Sequence, residues 1–284
     1  MTRAAPALRL RVRSFRFETV PTYWFDNDPW RTRFFDAFSS LLPIGERLFI
    51  DSLRRSAASL NDPQLDALVA SFAYQEGVHG REHRRYNDRL RALGYDIDGW
   101  DRSQKATVGR ISKLRDPRIP LAITVAFEHV TAAMGQAILE HDLLATADPE
   151  MKAFWSWHSA EEIEHKGAAF EVYQRAGGGP DLRRMVMAWC LFILGIRMGR
   201  RFAHMMRKEG KLMDRAAWRA GMRFLLGRQG LLALMGGDLR AFFRRDFHPW
   251  AKDAYHLVEQ WEARQSAPAA VAAREPAAAV ADLS

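Results

Sequence analysis

Residues 155–166 read WSWHSAEEIEHK, and they contain the pair Glu162-x-x-His165. Residues three apart on an α-helix differ by about 60° in azimuth, so both side chains can point towards one spot. A single glutamate, Glu128, lies thirty-four residues earlier on a strongly apolar segment. The spacing predicts two neighbouring helices that bring two carboxylates and one imidazole together.

The same arrangement occurs earlier in the chain. Residues 75–83 read QEGVHGREH and contain Glu76-x-x-His79. The single glutamate of this half is Glu46, thirty residues before Glu76. The sequence therefore predicts a second helix pair with an equivalent set of inward-facing groups.

Together the two halves supply four carboxylates and two imidazoles, which is the ligand set of a dinuclear metal site in a ferritin-like four-helix bundle. Four carboxylates buried without cations would be very unfavourable or would have to take up protons, and two divalent ions cancel their charge. Carboxylates combined with imidazoles suit two metal ions, with iron expected and manganese or zinc as alternatives. The predicted metal ligands are Glu46, Glu76, His79, Glu128, Glu162 and His165.

Two further histidines lie on the same helical faces. His158 precedes Glu162 by four residues, and His83 follows His79 by four. Each is a candidate for a seventh metal ligand, for a residue that orients a ligand, or for a proton donor in catalysis. A histidine packed near the end of the bundle is the alternative for both.

Other acidic residues and histidines flank these positions. We expect Glu82, Glu161 and Glu164 to face solvent or to contact the ligands from outside. His129 and His141 lie off the line of Glu128, so a structural or surface role is expected for them.

Helix signals dominate the chain, and no stretch alternates in the manner of a β-strand. An aspartate followed by proline marks a helix start at residues 28–29, 62–63, 116–117 and 148–149. The first of these opens a helix through Phe38, and Pro43 separates it from a helix that carries Glu46. Long helices are then predicted from 63 to Gly94, from 117 to about 144, and from 149 to the glycines at 177–179. The connections between these helices are expected to be short to medium in length.

Beyond Pro180 we expect basic helices over 181–208 and 214–235, the second ended by Gly236 and Gly237, and a last helix to about 264. The predicted organisation is an N-terminal basic arm (1–22), a ferritin-like bundle with the metal site (23–179), a basic helical extension packed on it (180–264) and a disordered Ala/Pro tail (265–284). The fold class is all-α.

Charge is unevenly distributed along the 284 residues, whose formal net charge is +8. Between Arg175 and Arg245 there are sixteen Lys or Arg residues and four Asp or Glu residues. Such a segment suits an anionic lipid surface, a nucleic acid or an acidic partner, and a solvated helical face is the alternative. Nucleic acid ranks last because no recognition motif accompanies the charge, so the basic helices of 181–245 are predicted to make peripheral membrane contact.

Neither a secretory signal nor a membrane-spanning segment is expected. The first sixteen residues contain five arginines and no apolar core, and the longest uncharged run, Met185 to Ile196, has twelve residues. Twelve helical residues span about 18 Å, which is less than the roughly 30 Å hydrocarbon core of a bilayer. A cytoplasmic location, extending to the inner face of the membrane, is therefore expected.

Four segments resemble those of the bacterial predicted metal-dependent hydrolases: PIGERLFI at 43–50, QEGVHGREH at 75–83, AFEHVT at 126–131 and WSWHSAEEIEHK at 155–166. The resemblance extends from about residue 20 to 262 and includes Phe247-His-Pro-Trp250. The spacing of His158, Glu162 and His165 is also similar to that of the di-iron arylamine N-oxygenases, which use an added histidine ligand. That resemblance implies that His158 is the extra ligand.

Three functions are compatible with these patterns. The first is oxygen-dependent oxidation of a small, apolar substrate by two iron ions, and it is the one we favour. The second, implied by the name of the family, is hydrolysis by a water molecule that two metal ions activate. The third is non-catalytic, either iron binding or a structural metal in a bundle that docks on a membrane.

Overall fold

The computed structural model describes residues 8–11 and 13–266, and within them the chain forms α-helices and no β-strand, which confirms the all-α class. Residues 1–7 and 12 of the predicted arm, and residues 267–284 of the predicted tail, lie outside the described residues. Two short 3-10 turns occur at Phe17–Thr19 and Pro249–Ala251. The helices are α1 (Pro29–Ser39), α2 (Leu42–Ala57), α3 (Pro63–Ala92), α4 (Ile97–Ser112), α5 (Arg118–Glu140), α6 (Pro149–Arg175), α7 (Pro180–Lys208), α8 (Arg215–Leu226), α9 (Leu231–Phe242) and α10 (Tyr255–Ser266).

The aspartate–proline pairs start helices as predicted. The side chains of Asp28, Asp62 and Asp148 each accept hydrogen bonds from two backbone N–H groups of the following turn, and proline takes the first helical position. Proline is favourable there because the first helical N–H has no partner within the helix. At the fourth pair, Asp116 accepts a hydrogen bond from the backbone N–H of Arg118, where α5 begins.

One helix of the structure has no counterpart in the sequence analysis, and one predicted helix has other boundaries. The segment between Gly94 and Asp116 forms α4, which Asp96 caps and which buries only Ile97 and Gln104 fully. No aspartate–proline pair precedes α4, so the signal that marks the starts of α1, α3 and α6 is absent there.

The predicted helix over 214–235 is divided into α8 and α9 by the segment from Gly227 to Gly230. A Cβ on Gly230 would lie 2.7 Å from the backbone nitrogen of Gly227, so the tight turn requires glycine there. Gly236 and Gly237 do not end a helix, because they lie inside α9 between the buried residues Met235 and Phe242. Packing of that buried face outweighs the low helix propensity of two glycines.

Four helices surround the predicted ligands. α2 packs along α3, α5 packs along α6, and the two pairs meet through contacts of α2 with α5 and of α3 with α6. The order of these helices along the chain is the order predicted for the bundle. Whether the bundle is of the ferritin-like type stays a prediction.

The remaining helices cover the outside of these four. α7 lies against α1 and α5, α9 lies against α5, and α10 lies against α6. The N-terminal segment crosses the outer side of α3 and α6, where Phe15 and Phe17 pack on Phe154. Arg11 in this segment forms ion pairs with Glu164 of α6 and Glu262 of α10.

α5 is the central helix of the described part of the chain. By length and composition it is the one described helix that could cross a membrane, but 94% of its most apolar window is buried inside the protein. α5 is therefore a core helix. It approaches α6 closely at Gly135, where an added Cβ would lie 2.7 Å from the carbonyl oxygen of Ser159.

This close approach gives the first testable prediction. Gly135→Ala should lower the free energy of unfolding by about 1–3 kcal/mol, because the added methyl group forces α5 and α6 apart. Gly109→Ala in α4 is the matched control, since a Cβ added there would have no neighbour within 4 Å. The control should raise stability by about 0.4–1 kcal/mol through a smaller loss of backbone entropy. Urea unfolding followed by circular dichroism measures both, and equal stability of the two variants would contradict the prediction.

Candidate metal centre

All the predicted ligand side chains come together in the centre of the four helices. α2 contributes Glu46, α3 contributes Glu76, His79 and His83, α5 contributes Glu128, and α6 contributes His158, Glu162 and His165. None of these residues is more than 3% exposed. The structure thus brings together the six predicted ligands and both additional histidines.

Glu76, His79, Glu162 and His165 form the inner group. One ligand atom from each lies within 4.8 Å of the others. The Nδ1 atom of His165 is 2.8 Å from Oε1 of Glu76, and Nδ1 of His79 is 3.5 Å from Oε1 of Glu162. Glu128 adjoins this group, because its Oε2 lies 3.5 Å from Nδ1 of His165.

Glu46, His83 and His158 form a second group whose ligand atoms also lie within 4.8 Å of one another. The two groups are joined at His158, whose Nε2 is 3.2 Å from Oε1 of Glu162. The Nδ1 of His158 lies 3.3 Å from Nε2 of His83. His83 Nδ1 in turn is 2.8 Å from the hydroxyl of Ser39.

Many of the buried oxygen and nitrogen atoms in this cluster have no hydrogen-bond partner. Within the described residues, both carboxylate oxygens of Glu46, Glu76 and Glu128 are buried and have no hydrogen-bond partner. The same holds for Nδ1 of His79, Nδ1 of His165 and Nε2 of His158, because the close approaches of these nitrogens to Glu76 and Glu162 do not have the angles of a hydrogen bond. Buried polar atoms without partners are rare and costly. These nine atoms are the predicted ligands' own oxygen and nitrogen atoms, so the donor set fits divalent metal ions that bind carboxylates and imidazoles.

In His79 and His165, the ring nitrogen that faces away from the cluster, Nε2, contacts a neighbouring side chain. Nε2 of His79 lies 2.9 Å from Oε2 of Glu161, and Nε2 of His165 lies 3.0 Å from Oε1 of Gln75. These contacts hold Nδ1 of both rings towards the cluster and select the tautomer in which Nδ1 is free to bind a metal. The hydroxyl of Thr131 donates a hydrogen bond to Glu162.

Three residues that support the cluster from outside were not identified from the sequence. Gln75, Thr131 and Arg11 carry no spacing signal of their own, although Gln75 precedes a ligand directly. Arg11 reaches the cluster indirectly, since it pairs with Glu164, and Glu164 accepts a hydrogen bond from the side-chain amide of Gln75.

The flanking residues are more buried than a solvent-facing role allows. Glu82, Glu161 and Glu164 are all fully buried. Glu161 contacts His79 of the cluster from outside, Glu164 is connected to the cluster through Gln75, and Glu82 is paired with Arg81 and Arg85. His129 and His141 lie outside the cluster. His129 packs between Phe242 and Phe247, and His141 is exposed at the end of α5.

The ionisation of the cluster reflects burial of many charges in one place. Burial raises the pKa of Glu46 and Glu128 well above the usual value, and neighbouring carboxylates add to this effect. Burial disfavours the charged form of His79, but Glu161 and Glu162 outweigh it and raise its pKa to about 10. Burial, followed by the neighbouring His79, lowers the pKa of His158 to about 3. Without cations the site therefore retains protons that bound metal ions would replace.

An apolar pocket adjoins the cluster on the side of α2 and α5. Its wall includes Gly45 and Phe127, the neighbours in sequence of Glu46 and Glu128, and Thr131, which bonds Glu162. At the other end the wall is formed by Trp189 and Arg197 of α7. The lining is almost entirely apolar, with Phe, Leu, Ile and Val side chains between these two ends.

Comparison with known proteins agrees with the resemblance seen in the sequence. The model of the family described as "Predicted metal-dependent hydrolase" matches residues 9–253. No curated protein and no solved structure matches the chain. The match includes every ligand candidate of the buried cluster and far more than half of the sequence, and the chain therefore belongs to the family of predicted metal-dependent hydrolases.

Proposed function

We propose that the protein is an enzyme with a dinuclear iron centre that oxidises a small, apolar substrate with dioxygen. The observation that carries the proposal is the junction of a carboxylate-rich ligand cluster with an apolar pocket at Thr131 and Gly45. Two iron(II) ions, when bound, would supply electrons for the reduction of dioxygen. The protein's own residues would hold the ions, position the substrate and exclude water.

In this proposal the six predicted ligands hold the two ions, and His158 is the seventh ligand. His158 suits this role because its Nε2 has no hydrogen-bond partner in the described structure and faces Glu162. His83 lies further from the inner group than His158 and contacts both His158 and Ser39. We therefore assign His83 the task of orienting His158 and of passing protons along the path from Ser39.

The lining of the pocket supports an apolar substrate. A polar substrate such as an ester, amide or phosphate needs buried hydrogen-bond donors or cations to fix its orientation. Near the cluster, the polar side chain in the pocket wall is Thr131, and its hydroxyl already bonds Glu162. Gln104, Thr107 and Arg197 lie at the far end, where Arg197 donates a hydrogen bond to Thr107.

Hydrolysis is the second candidate, and the description of the family favours it. Two metal ions can lower the pKa of a bound water and hold a substrate oxygen. The same ligands would serve this reaction, with zinc or manganese in place of iron. The two candidates differ in their need for oxygen and for a redox-active metal.

The ligand assignment predicts loss of metal in two single variants. Glu76→Ala and Glu162→Ala should each reduce the metal content from about two ions per chain to less than half of that, because both carboxylates belong to the inner group. Glu171→Ala on α6 is the matched control, since its carboxylate pairs with Arg175 away from the cluster. Metal analysis of the purified proteins measures this, and full metal retention in both variants would disprove the assignment.

The proposed roles of the two outer histidines predict different effects. His158→Ala should weaken the binding of one metal ion by more than about 100-fold, because a direct ligand is lost. His83→Ala should weaken it by only about 10- to 100-fold, which is typical of residues that orient a ligand. Titration with iron(II) under anaerobic conditions measures both affinities. Equal losses in the two variants would contradict the separation of roles.

The choice between oxidation and hydrolysis rests on the response to oxygen. After anaerobic loading with iron(II), exposure to oxygen should produce a new optical absorption band in the native protein and none in Glu76→Ala. Hydrolysis would be supported instead by three results together. The protein would retain stoichiometric zinc or manganese, would give no absorption band with iron, and would hydrolyse test esters without oxygen.

A further inference from the structure

Helix α7 exposes a stripe of large apolar side chains. Met185 and Phe192 are each 65% exposed, Trp189 is 43% exposed, and Ile196 is 40% exposed. Their spacing of four, three and four residues places them on one side of the helix. Contiguous exposed apolar side chains of this size mark an interaction surface.

Apolar surface continues on both flanks of the stripe. On one flank, α7, α8 and α9 enclose a groove whose lining includes Met198, Met222, Leu232 and Met235. On the other flank, Trp189 and Arg197 of α7 line the pocket beside the ligand cluster. We call the α7 stripe together with the exposed residues of α8 and α9 the C-terminal face.

The same three helices and the turn after α8 carry exposed positive charges. Arg200 of α7, Arg219 and Arg223 of α8, Arg228 in the following turn and Arg240 of α9 are exposed. None of them has an ion-pair partner among residues 8–11 and 13–266. Each therefore retains a full, solvated positive charge that a partner of opposite charge can neutralise.

We propose that the C-terminal face docks on the surface of an anionic lipid bilayer. The stripe of α7 would enter the boundary between headgroups and acyl chains, and the arginines would bind the lipid phosphates. A surface that combines exposed Trp, Phe and Met side chains with unpaired arginines is typical of interfacial membrane binding. The proposal does not depend on the reaction, since it uses no residue of the ligand cluster.

Other occupants fit this face less well. A second copy of the chain would bring two sets of unpaired arginines together, and this repulsion is unfavourable. Residues 267–284 contain one leucine, two valines and no aromatic residue, so they have little apolar surface with which to cover the stripe. A nucleic acid would neutralise the arginines but would leave the Met and Phe side chains exposed to water.

Docking in this orientation has a consequence for access to the pocket. Trp189 belongs both to the exposed stripe and to the pocket lining, so this part of the pocket wall would face the bilayer. An apolar compound dissolved in the membrane would then enter the pocket beside Trp189.

The test is flotation of the full-length protein with vesicles of phosphatidylglycerol and phosphatidylcholine, compared with vesicles of phosphatidylcholine alone. The native protein should bind the anionic vesicles, and binding should weaken as salt is raised. Met185→Ser combined with Phe192→Ser should reduce binding at least tenfold. Neither residue lines the pocket, and Leu10→Ser combined with Tyr74→Ser, which alters exposed side chains elsewhere, is the matched control.

The charge contribution is tested in the same assay. Arg223→Gln combined with Arg228→Gln should lower the partition coefficient about 30-fold, the expected effect of removing two cations from the surface of an anionic membrane. Arg16→Gln combined with Arg264→Gln removes the same charge at exposed positions outside α7, α8 and α9, beside α6 and within α10, and should have little effect.

Circular dichroism and thermal unfolding establish that each variant is folded. No binding to anionic vesicles at low salt would overturn the proposal, as would binding that the face variants and the control variants reduce equally. A dimer that Met185→Ser with Phe192→Ser dissociates would assign the face to a second copy, and tight binding of duplex DNA without vesicle binding would assign it to nucleic acid. Because the assay needs no metal, failure would leave the proposed reaction untouched.

Discussion

Burial of several carboxylates in one apolar core is the constraint on which the structure depends. Glu46, Glu76, Glu128 and Glu162 come from four different helices and meet where water does not reach them. Their mutual repulsion and the cost of desolvation oppose folding unless positive charge is placed among them. The imidazoles provide part of it when protonated, and metal ions would provide it more completely. The four helices can therefore pack closely only if the centre is electrically balanced.

That balance extends well beyond the ligands. Gln75 holds His165, Glu164 accepts a hydrogen bond from Gln75, and Arg11 pairs with Glu164. Arg11 also pairs with Glu262 in α10. Residues near both ends of the described sequence therefore belong to one connected set of contacts. A ring whose outer nitrogen is held by a hydrogen bond keeps its metal-facing nitrogen in a fixed place. The N-terminal segment thus serves the site even though none of its residues could bind a metal in the cluster.

The sequence predicts the parts of this arrangement that depend on local chemistry. Aspartate–proline pairs fix the starts of α1, α3 and α6, and the Glu-x-x-His spacing fixes which side chains share a helix face. It predicts poorly where such a local signal is absent or where tertiary packing decides the outcome. No aspartate–proline pair precedes α4, and α9 continues through Gly236 and Gly237 because Met235 and Phe242 are buried. Arg11 lies more than 150 residues from Glu164, so no spacing rule could connect them.

The helices after Pro180 are part of the site's surroundings rather than a separate attachment. Ile193, Leu194 and Arg197 of α7 form one wall of the apolar pocket, and Phe127 and Thr131 of α5 form the opposite side. Without α7 this pocket would open directly to water beside the carboxylate cluster. An apolar compound would then gain little by entering, since burial of its surface is what favours binding. The four-helix core can supply the ligands alone, but a site that selects an apolar substrate also needs α7.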